Sequence, residues 1–256
     1  MLKVVVSISS MYIERVSLKL SALTNNPNNG VVLISGGMDS VTLLYHIKNL
    51  YPEATIHAIT MYYGQRHRKE MFYSRYWCKK LNIPFHDYKL GFIGDITKDV
   101  SSMIGASKID VPNEEYDSNK TPSTYVPFRN AIFTMIAASY CESNNLTNIY
   151  YAGHVGDSGA NYWDCSMEYY DKVNSLLALR GIVLRAPFLS KTKVDIAKVA
   201  KQYKDLHLEK TWSCYNGNDI HCGTCSTCRE RILAMKGAGI VDKTSYVTNP
   251  YILDVK

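Results

Sequence analysis

The segment that most constrains the fold is Ser35–Ser40 (SGGMDS), which lies between an apolar stretch, Val31–Ile34, and a helical stretch, Val41–Leu50. Two adjacent glycines let a backbone approach an anion without interference from Cβ atoms. The helix that follows adds free N–H groups at its positive end. Open parallel sheets bind ligands at such strand-to-helix turns, at the carboxyl ends of their strands. The sequence therefore predicts an α/β protein with an anion-binding loop after the first strand of its sheet.

Strand-like and helical segments alternate through most of the remaining chain, which predicts an open, mostly parallel sheet. One segment, Gly91–Pro127, has no sustained hydrophobic period. Loops of this length in compact domains are usually functional or poorly ordered, so an active-site flap or a partly disordered loop is expected there. The predicted strands are Thr55–Tyr62, Phe85–Lys89, Asn148–Ala152 and Ile182–Ala186, and the predicted helices are Arg68–Leu81, Asn130–Asn144, Glu168–Leu179, Lys191–Tyr203 and Cys225–Ala238.

Three regions are expected along the chain. Residues 1–30 form an N-terminal extension, predicted as a hairpin because Lys3–Ser9 and Val16–Leu20 are strand-like and Asn25–Gly30 is a turn signal. Residues 31–205 form the nucleotide-binding and catalytic domain. Residues 206–256 form a small C-terminal subdomain that is predicted to bind a metal.

The metal prediction rests on four of the seven cysteines, which are Cys214, Cys222, Cys225 and Cys228. Two successive C-x2-C pairs share one cysteine, and four thiolates are the soft ligands that suit tetrahedral zinc. A shell closed by four protein ligands indicates a structural metal. His221 is interpreted as a bystander to the ligand shell. An iron–sulfur cluster is the alternative that this spacing leaves open.

Composition narrows the class of protein. The formal charge is +6, but no block of like charges marks a nucleic-acid-binding surface. No apolar run is long enough to cross a bilayer, and Met1–Ser10 has no signal-peptide pattern. An odd cysteine count with one tight cluster fits a reducing compartment. These observations favour a mildly basic cytoplasmic enzyme that uses small-molecule substrates and binds neither membrane nor nucleic acid.

The phosphate loop lacks the Gly-Lys-Ser/Thr of a Walker A motif. Ser35 and Ser40 supply hydroxyl donors, and Asp39 is placed to hold a Mg²⁺ that bridges phosphates. SGGMDS resembles the PP-loop of the N-type ATP pyrophosphatases. That resemblance implies cleavage of ATP to AMP and diphosphate, with an acyl or amide oxygen attacking the α-phosphate.

A narrower resemblance runs from about Val31 to Tyr246. It is carried by SGGMDS, YGQRH (Tyr63–His67), PFRNAIF (Pro127–Phe133), YWDC (Tyr162–Cys165) and the cysteine run. Together these are similar to the QueC family of 7-cyano-7-deazaguanine synthases. The resemblance implies conversion of 7-carboxy-7-deazaguanine and ammonia to the nitrile with two ATP, structural Zn²⁺, Mg²⁺ and a homodimer. It implies that ammonia is free or comes from a separate donor protein.

The resemblance assigns the site residues. Asp39, Ser40, Arg129 and Asn130 are the catalytic candidates, and Tyr62, Phe128, Tyr162 and Asp164 are the substrate-binding candidates. Each of three candidates also has an alternative without a functional role. Arg129 and Lys191 could be solvated charged residues at the start of a helix, and His67 could be a solvated loop histidine. The nucleotide-binding candidates are Ile34, Ser35, Gly36, Gly37, Met38, Asp39, Ser40, Val41, Thr42, Leu43, Leu44, Gln65, Arg66, His67 and Lys191.

Two features depart from the family pattern. First, residues 1–30 precede the strand that leads into the phosphate loop. Second, the loop Gly153–Asp164 differs from the sequence that is usual in the family, which has a Cys-Glu-Thr-Asp stretch and Tyr-Pro-Asp-Cys, and Trp163 stands at the position of the proline. Three other functions therefore stay open. They are a PP-loop ligase that adenylates another carboxylate, including one on a protein or peptide, a tRNA-modifying PP-loop enzyme, and a zinc-stabilised nucleotide-binding module without activity.

Overall fold

The computed structural model describes residues 26–112, 121–154, 162–216 and 219–248. Within these ranges, five strands and seven α-helices follow one another in the order predicted for an α/β protein. The hairpin predicted within residues 1–30 lies, up to residue 25, outside the described residues, and β1 begins at Gly30. The strands are β1 (Gly30–Leu33), β2 (Ile56–Tyr62), β3 (Phe85–Lys89), β4 (Asn148–Tyr150) and β5 (Val183–Arg185), and the helices are α1 (Met38–Leu50), α2 (Lys69–Lys80), α3 (Gly91–Thr97), α4 (Arg129–Ser143), α5 (Met167–Leu177), α6 (Lys193–Lys201) and α7 (Ser226–Gly237).

The five strands form one parallel sheet in the order β3-β2-β1-β4-β5. Central strand β1 pairs with β2 on one side, Val31 opposite His57, and with β4 on the other, Val31 opposite Ile149. The chain runs outward to β3 and then returns to the far side of β1, so the order reverses between β1 and β4. In open α/β sheets, ligands bind at the carboxyl ends of the strands beside such a reversal. The predicted fold class is confirmed.

Helices cover both faces of the sheet. Val31 and Leu33 pack with residues of α4 and α5 on one face, whereas Val32 and Ile34 pack with residues of α1, α2, α6 and α7 on the other. Successive side chains of a strand point to opposite faces. A central strand covered on both faces is therefore apolar at every position, which explains the run Val31–Ile34.

Two predicted boundaries differ from the structure in ways that matter for the site. Helix α1 begins at Met38 rather than Val41, because Gly37 is its extended N-terminal cap. Met38–Ser40 therefore belongs to the first helical turn. The sequence predicts an active-site flap or a partly disordered loop over Gly91–Pro127, but Gly91–Thr97 is helical. Its apolar residues Phe92 and Ile96 are exposed and its buried face is small (Ile93, Gly94 and Thr97), so the sequence shows no sustained hydrophobic period here.

The C-terminal helix shares the main core. Ala234 and Met235 of α7 pack in the same cluster as Ile196 and Ala197 of α6 and the residues of α1. The clustered cysteines, which lie in the segment before α7 and in its first turn, are thereby held against the sheet. None of the helices in the described ranges is both long and apolar enough to cross a membrane.

Candidate active site

Two serines of the loop after β1 form hydrogen bonds within the loop and fix its conformation. Ser40 Oγ accepts a hydrogen bond from Ser35 N at 3.1 Å, lies 3.0 Å from Ser35 Oγ, and donates to Gly37 O at 3.2 Å. Gly36 has φ +80°, a left-handed conformation that favours glycine. A Cβ atom on Gly36 would also overlap the carbonyl oxygen of Glu70. Glycine at this position therefore permits both the turn and the close approach of α2.

A charged centre follows the loop. Asp39, in the first turn of α1, forms an ion pair with Lys193, the first residue of α6, and its Oδ2 lies 3.6 Å from His154 Nε2. Burial would raise the pKa of the Asp39 carboxyl, but the attraction of Lys193 and His154 outweighs burial and holds this pKa below its usual range. Asp39 Oδ1 is buried and has no hydrogen-bond partner among the described residues. One carboxylate oxygen is thus paired and the other is available to a cation.

A cavity of about 580 Å³ lies over the carboxyl ends of β1, β2 and β4. This volume is in the range of small-molecule sites. Its wall combines the phosphate loop with charged and aromatic side chains from five helices and the segments after the strands. Those residues include Asp39, Tyr63, Glu70, Arg129, Asn130, Tyr151, His154, Tyr162, Lys193, Tyr215 and Glu230.

Opposite the loop, Arg129 forms one wall of the cavity. Arg129 Nη1 donates a hydrogen bond to Tyr63 OH at 3.2 Å, and its guanidinium lies 5.6 Å from the centre of the Tyr63 ring. The preceding residue, Phe128, has φ +55°, which turns the chain sharply into α4. Burial raises the pKa of nearby Glu70 to about 7, although Arg129 pulls in the opposite direction. The cavity therefore has one carboxyl group that titrates near neutral pH.

The four clustered cysteines form a second, closed site. Their Sγ atoms all lie within 4.8 Å of one another, and all four residues are buried. Backbone N–H groups of Thr224 and Cys225 donate to Cys222 Sγ at 3.4 and 3.3 Å. His221 is turned elsewhere: its Nε2 accepts from Ser213 N at 3.2 Å, and its ring lies 4.3 Å from that of Trp212. Four converging sulfurs fit a tetrahedral metal ion.

Comparison with known proteins decides the family. A family model described as "Queuosine biosynthesis protein QueC" matches residues 29–239. The chain belongs to the QueC family. Its members include curated relatives named 7-cyano-7-deazaguanine synthase. The relative from Porphyromonas gingivalis is 35% identical over 222 residues, covering 85% of this chain and 97% of the relative. The relative from Methanoregula boonei is 36% identical over 219 residues, covering 84% and 98%.

Among solved structures, an NH3-dependent NAD synthetase from Campylobacter jejuni is similar at a TM-score of 0.44 and 15% identity, covering 75% of this chain and 72% of that one. A likeness this distant bears neither on the substrate nor on the site. The family match, by contrast, confirms the resemblance recognised in the motifs.

The structure brings most of the predicted phosphate-loop and catalytic residues of this QueC family member to one cavity. The exceptions within the loop and α1 are Gly36, which shapes the turn, and side chains that point into the core. Those core side chains are Met38, Val41, Thr42, Leu43 and Leu44. The predicted residues that line the cavity are Ile34, Ser35, Gly37, Asp39, Ser40, Gln65, Arg129, Asn130 and Tyr162.

Lys191 does not line the cavity, and Lys193 takes that place. Helix α6 begins at Lys193 because Thr192 and Asp195 form a capping box, with Thr192 Oγ1 accepting from Asp195 N at 3.1 Å. Lys191 therefore precedes the helix and lies near His46. The predicted phosphate contact of Lys191 stays a prediction that the cavity lining does not support, and the lysine that lines the cavity and pairs with Asp39 is two residues later.

Arg66 of the YGQRH segment contacts the long segment between β3 and α4. Arg66 donates to the carbonyl oxygens of Ser102 and Ile109 at 2.5 and 2.6 Å. His67 is buried 6.0 Å from the Trp212 ring, and burial lowers its pKa to about 4. Tyr62 lines a separate cavity of about 490 Å³, together with Arg66. Of the predicted contacts here, Gln65 alone reaches the main cavity among the described residues.

Besides Tyr62, two further predicted substrate contacts lie outside the wall of the main cavity. Phe128 is 60% exposed and meets Trp163 edge-on, with 5.2 Å between ring centres. Trp163 Nε1 donates to Tyr125 OH at 2.7 Å, which fixes this aromatic pair at the surface. Asp164 is buried, and burial raises its carboxyl pKa although Arg129 opposes this. The part of the Gly153–Asp164 loop from residue 155 to 161 lies outside the described residues.

Sequence reasoning missed four charged residues of the cavity: Glu70, His154, Lys193 and Glu230. They come from α2, the segment after β4, α6 and α7, so no short motif contains them. Two signals were available. His154 lies two residues after the predicted strand Asn148–Ala152, and Lys193 lies two residues after the candidate Lys191.

Proposed function

We propose that this QueC family member is a 7-cyano-7-deazaguanine synthase. It converts 7-carboxy-7-deazaguanine and ammonia to the 7-cyano base with two ATP, and it releases AMP and diphosphate. The observation that carries the proposal is the strand–SGGMDS–helix loop with the Asp39–Lys193 pair beside one cavity, in a chain whose similar relatives carry this name. A loop without a Walker A lysine, placed at the carboxyl end of β1, supports diphosphate as the leaving group.

The proposed roles follow from position. The N–H groups of the first turn of α1 and the hydroxyls of Ser35 and Ser40 bind the phosphates of ATP, where charge grows as diphosphate leaves. Lys193 neutralises the same charge. Arg129 and Asn130, on the opposite wall, bind the carboxylate of the substrate and the amide of the intermediate. Tyr162, at the cavity wall, supplies a stacking surface for the deazapurine.

Mg²⁺ fits the cavity because Asp39 Oδ1 is a buried carboxylate oxygen without a partner among the described residues. Asp39 would hold the ion, which when bound neutralises phosphate charge. Zn²⁺ fits the four cysteines, since four thiolates close its tetrahedral shell and leave no position for a substrate. We propose that the zinc is structural and that the four cysteines do not hold an iron–sulfur cluster.

We also propose the organisation of the whole chain. Residues 31–205 form the ATP-binding catalytic domain, residues 206–256 the zinc-binding subdomain, and residues 1–30 an extension. The shared core of α6 and α7 supports a subdomain that is anchored to the catalytic domain. A reducing compartment suits four metal-binding thiols, which supports a cytoplasmic location. We propose a homodimer, and no nucleic-acid partner.

The test is a product analysis. Purified protein with ATP, Mg²⁺, ammonium and 7-carboxy-7-deazaguanine should yield AMP, diphosphate and the 7-cyano base, measured by chromatography and mass spectrometry. The 7-amide added alone should also be converted, because the second adenylation uses the same cavity. ADP as the main nucleotide product contradicts the proposal. A carboxylate that is ignored while ATP still binds would favour a ligase for another carboxylate.

A further inference from the structure

Glu70 is a charged residue of the cavity for which ATP binding provides no role. It lies in the first turn of α2 and lines the cavity together with Ser35, Tyr63 and Arg129. Its carboxylate has no hydrogen bond or ion pair among the described residues, although Arg129 is close enough to affect it. A carboxylate that is partly removed from water and has no donor is costly. Such a group is expected where a ligand supplies the donor.

The position of Glu70 is fixed by its backbone. Ser74 Oγ lies 2.9 Å from the carbonyl oxygen of Glu70 and 3.4 Å from that of Ile34, so one hydroxyl joins the first turn of α2 to the end of β1. The absence of a Cβ on Gly36 permits this approach. Glu70 is therefore held beside the phosphate loop by contacts that do not involve its carboxylate.

The proposed reaction needs such a group. At neutral pH ammonia is present mainly as ammonium, which has no lone pair with which to attack an acyl adenylate. Ammonium carries four N–H donors and one positive charge, and a carboxylate matches both. We propose, building on the proposed function, that Glu70 is the catalytic residue that binds ammonium in the cavity and removes one proton from it.

The proton balance of the amide-forming step is simple. The Glu70 carboxylate takes one proton from ammonium and leaves ammonia. The nitrogen lone pair attacks the carbonyl carbon of the acyl adenylate, the bond from that carbon to the AMP oxygen breaks, and AMP leaves with the electron pair. The nitrogen gives a second proton to water as the amide forms. Glu70 then returns its proton to water before the next turnover.

The other carboxylates near the cavity suit this step less well. Asp39 is paired with Lys193, and Asp164 does not line the cavity. Glu230 acts on Lys193 as a second negative charge. Arg129 of α4 is the charged group that acts on Glu70. The other ionisable groups that line the cavity are Asp39, Tyr63, Tyr151, His154, Tyr162, Cys165, Lys193, Tyr215 and Glu230. Burial, opposed by Arg129, raises the Glu70 pKa to about 7, which suits a group that must both take and release a proton near neutral pH.

The experiment compares wild type with Glu70→Gln, which keeps the size and removes the base, and Glu70→Asp, which keeps the base. Glu168→Gln is the control, since Glu168 is an exposed carboxylate of α5 paired with Lys172 at 2.7 Å. Three rates are measured on each protein with 7-carboxy-7-deazaguanine. They are diphosphate–ATP exchange without ammonia, amide formation with ammonium chloride from pH 6 to 9, and hydroxamate formation with hydroxylamine, which is already neutral at pH 7.

We expect Glu70→Gln to lower kcat/KM for ammonium at pH 7 by about 10²-fold or more. The wild-type rate should level off above about pH 7, whereas that of Glu70→Gln should keep rising about tenfold per pH unit with the fraction of neutral ammonia. Exchange and hydroxamate formation should fall by less than about threefold, and Glu70→Asp should regain part of the ammonium-dependent rate. Equal unfolding midpoints show that the variants are folded.

Two outcomes overturn the role of Glu70 alone: an unchanged kcat/KM for ammonium in Glu70→Gln, or an equal loss in all three rates. Wild-type protein that shows no exchange with 7-carboxy-7-deazaguanine overturns the proposed function, and the role of Glu70 with it. The two failures are thus distinguished in one set of measurements.

Discussion

The cysteine cluster and the cavity differ in how their polar atoms are satisfied. In the cluster, Cys222 Sγ accepts from two backbone N–H groups, and the four sulfurs face one another in a buried, apolar setting. In the cavity, Asp39 Oδ1 and His154 Nδ1 are buried without hydrogen-bond partners among the described residues. The first site is complete with a metal ion alone. The cavity, by contrast, contains charged and polar atoms without partners among the described residues, and these atoms can bind ligands that change during a reaction.

This difference implies different responses to mutation. Losing a ligand or support of the cysteine site should act on stability, because the metal and the fold of this segment depend on each other. Losing a side chain of the cavity should act on catalysis first, because the fold already tolerates unpartnered groups there. The following predictions test that division, in order of the expected effect on stability.

Cys225→Ser should have the largest effect. Losing one of four thiolates should abolish tight zinc binding and lower the free energy of unfolding by more than about 5 kcal/mol, because structural zinc contributes about 10–16 kcal/mol in small metal domains. Chemical denaturation and elemental analysis measure both. Cys141→Ser, at a buried cysteine outside the cluster, controls for loss of a buried thiol. Iron in place of zinc in the wild type, or normal stability in Cys225→Ser, would contradict the prediction.

Arg231→Met tests the support beneath the cluster. Arg231 is buried in α7, and its guanidinium donates to Thr211 Oγ1 at 2.8 Å, to Leu208 O at 2.5 Å and to Thr244 Oγ1 at 3.0 Å. Removing it deletes these buried hydrogen bonds and takes a donor from the Thr211 and Thr244 hydroxyls, so the free energy of unfolding should fall by about 2–4 kcal/mol. Zinc content should stay at one per chain. Thermal and denaturant unfolding give the value, and a loss below about 1 kcal/mol would count against it.

Asp39→Asn should act mainly on chemistry. AMP formation should fall about 10²–10³-fold, since the variant lacks a charge that organises the phosphates. Stability should fall by about 2–3 kcal/mol, because Asn keeps the shape of the side chain but leaves the largely buried Lys193 without its negative partner. The folded-state pKa of Asp39 is lowered, so this contribution is present above the ordinary carboxyl pKa and is lost as the pH falls below it. The stability difference should therefore be constant from about pH 5 to pH 8.

The control for that experiment is Lys191→Met, which changes a lysine outside the cavity, beside Lys193→Met, which changes one inside it. AMP formation should fall at least about tenfold in Lys193→Met, because neutralisation of the phosphates is lost, and by less than about threefold in Lys191→Met. The reverse order would mean that the family resemblance located the lysine better than the structure did.

The smallest effect on stability is expected for Phe128→Ala. The side chain is 60% exposed, so the free energy of unfolding should change by less than about 1 kcal/mol, and kcat/KM for the deazapurine by less than about threefold. Tyr162→Phe is a poor comparison because it keeps the ring. Tyr162→Ala, at the cavity wall, should raise KM for the deazapurine about tenfold, since a stacking surface is lost. Steady-state kinetics would show whether the order is reversed.

Local chemistry explains which predictions from the sequence succeeded. The loop Ser35–Ser40 follows an apolar strand and precedes a helix, and all its constraints lie within a few residues of chain: glycine torsions, serine hydroxyls and the first helical turn. The four cysteines lie within 15 positions of sequence, 214 to 228, so their spacing alone indicates a shared ligand. Strand–helix alternation likewise indicates parallel pairing, which was confirmed. The long segment after β3 was only partly described by its sequence, because Gly91–Thr97 has seven residues, too few to show a sustained hydrophobic period.

The sequence by itself therefore determined the fold class, the phosphate loop, the cysteine cluster and the family. Tertiary structure alone decided which other side chains share the cavity: Glu70, His154, Lys193 and Glu230 enter it, whereas Lys191 and Phe128 do not. The physical reason is that strand order brings the carboxyl ends of β1, β2 and β4 together across long stretches of chain. A shift of two residues in where α6 begins then selects the lysine that meets Asp39.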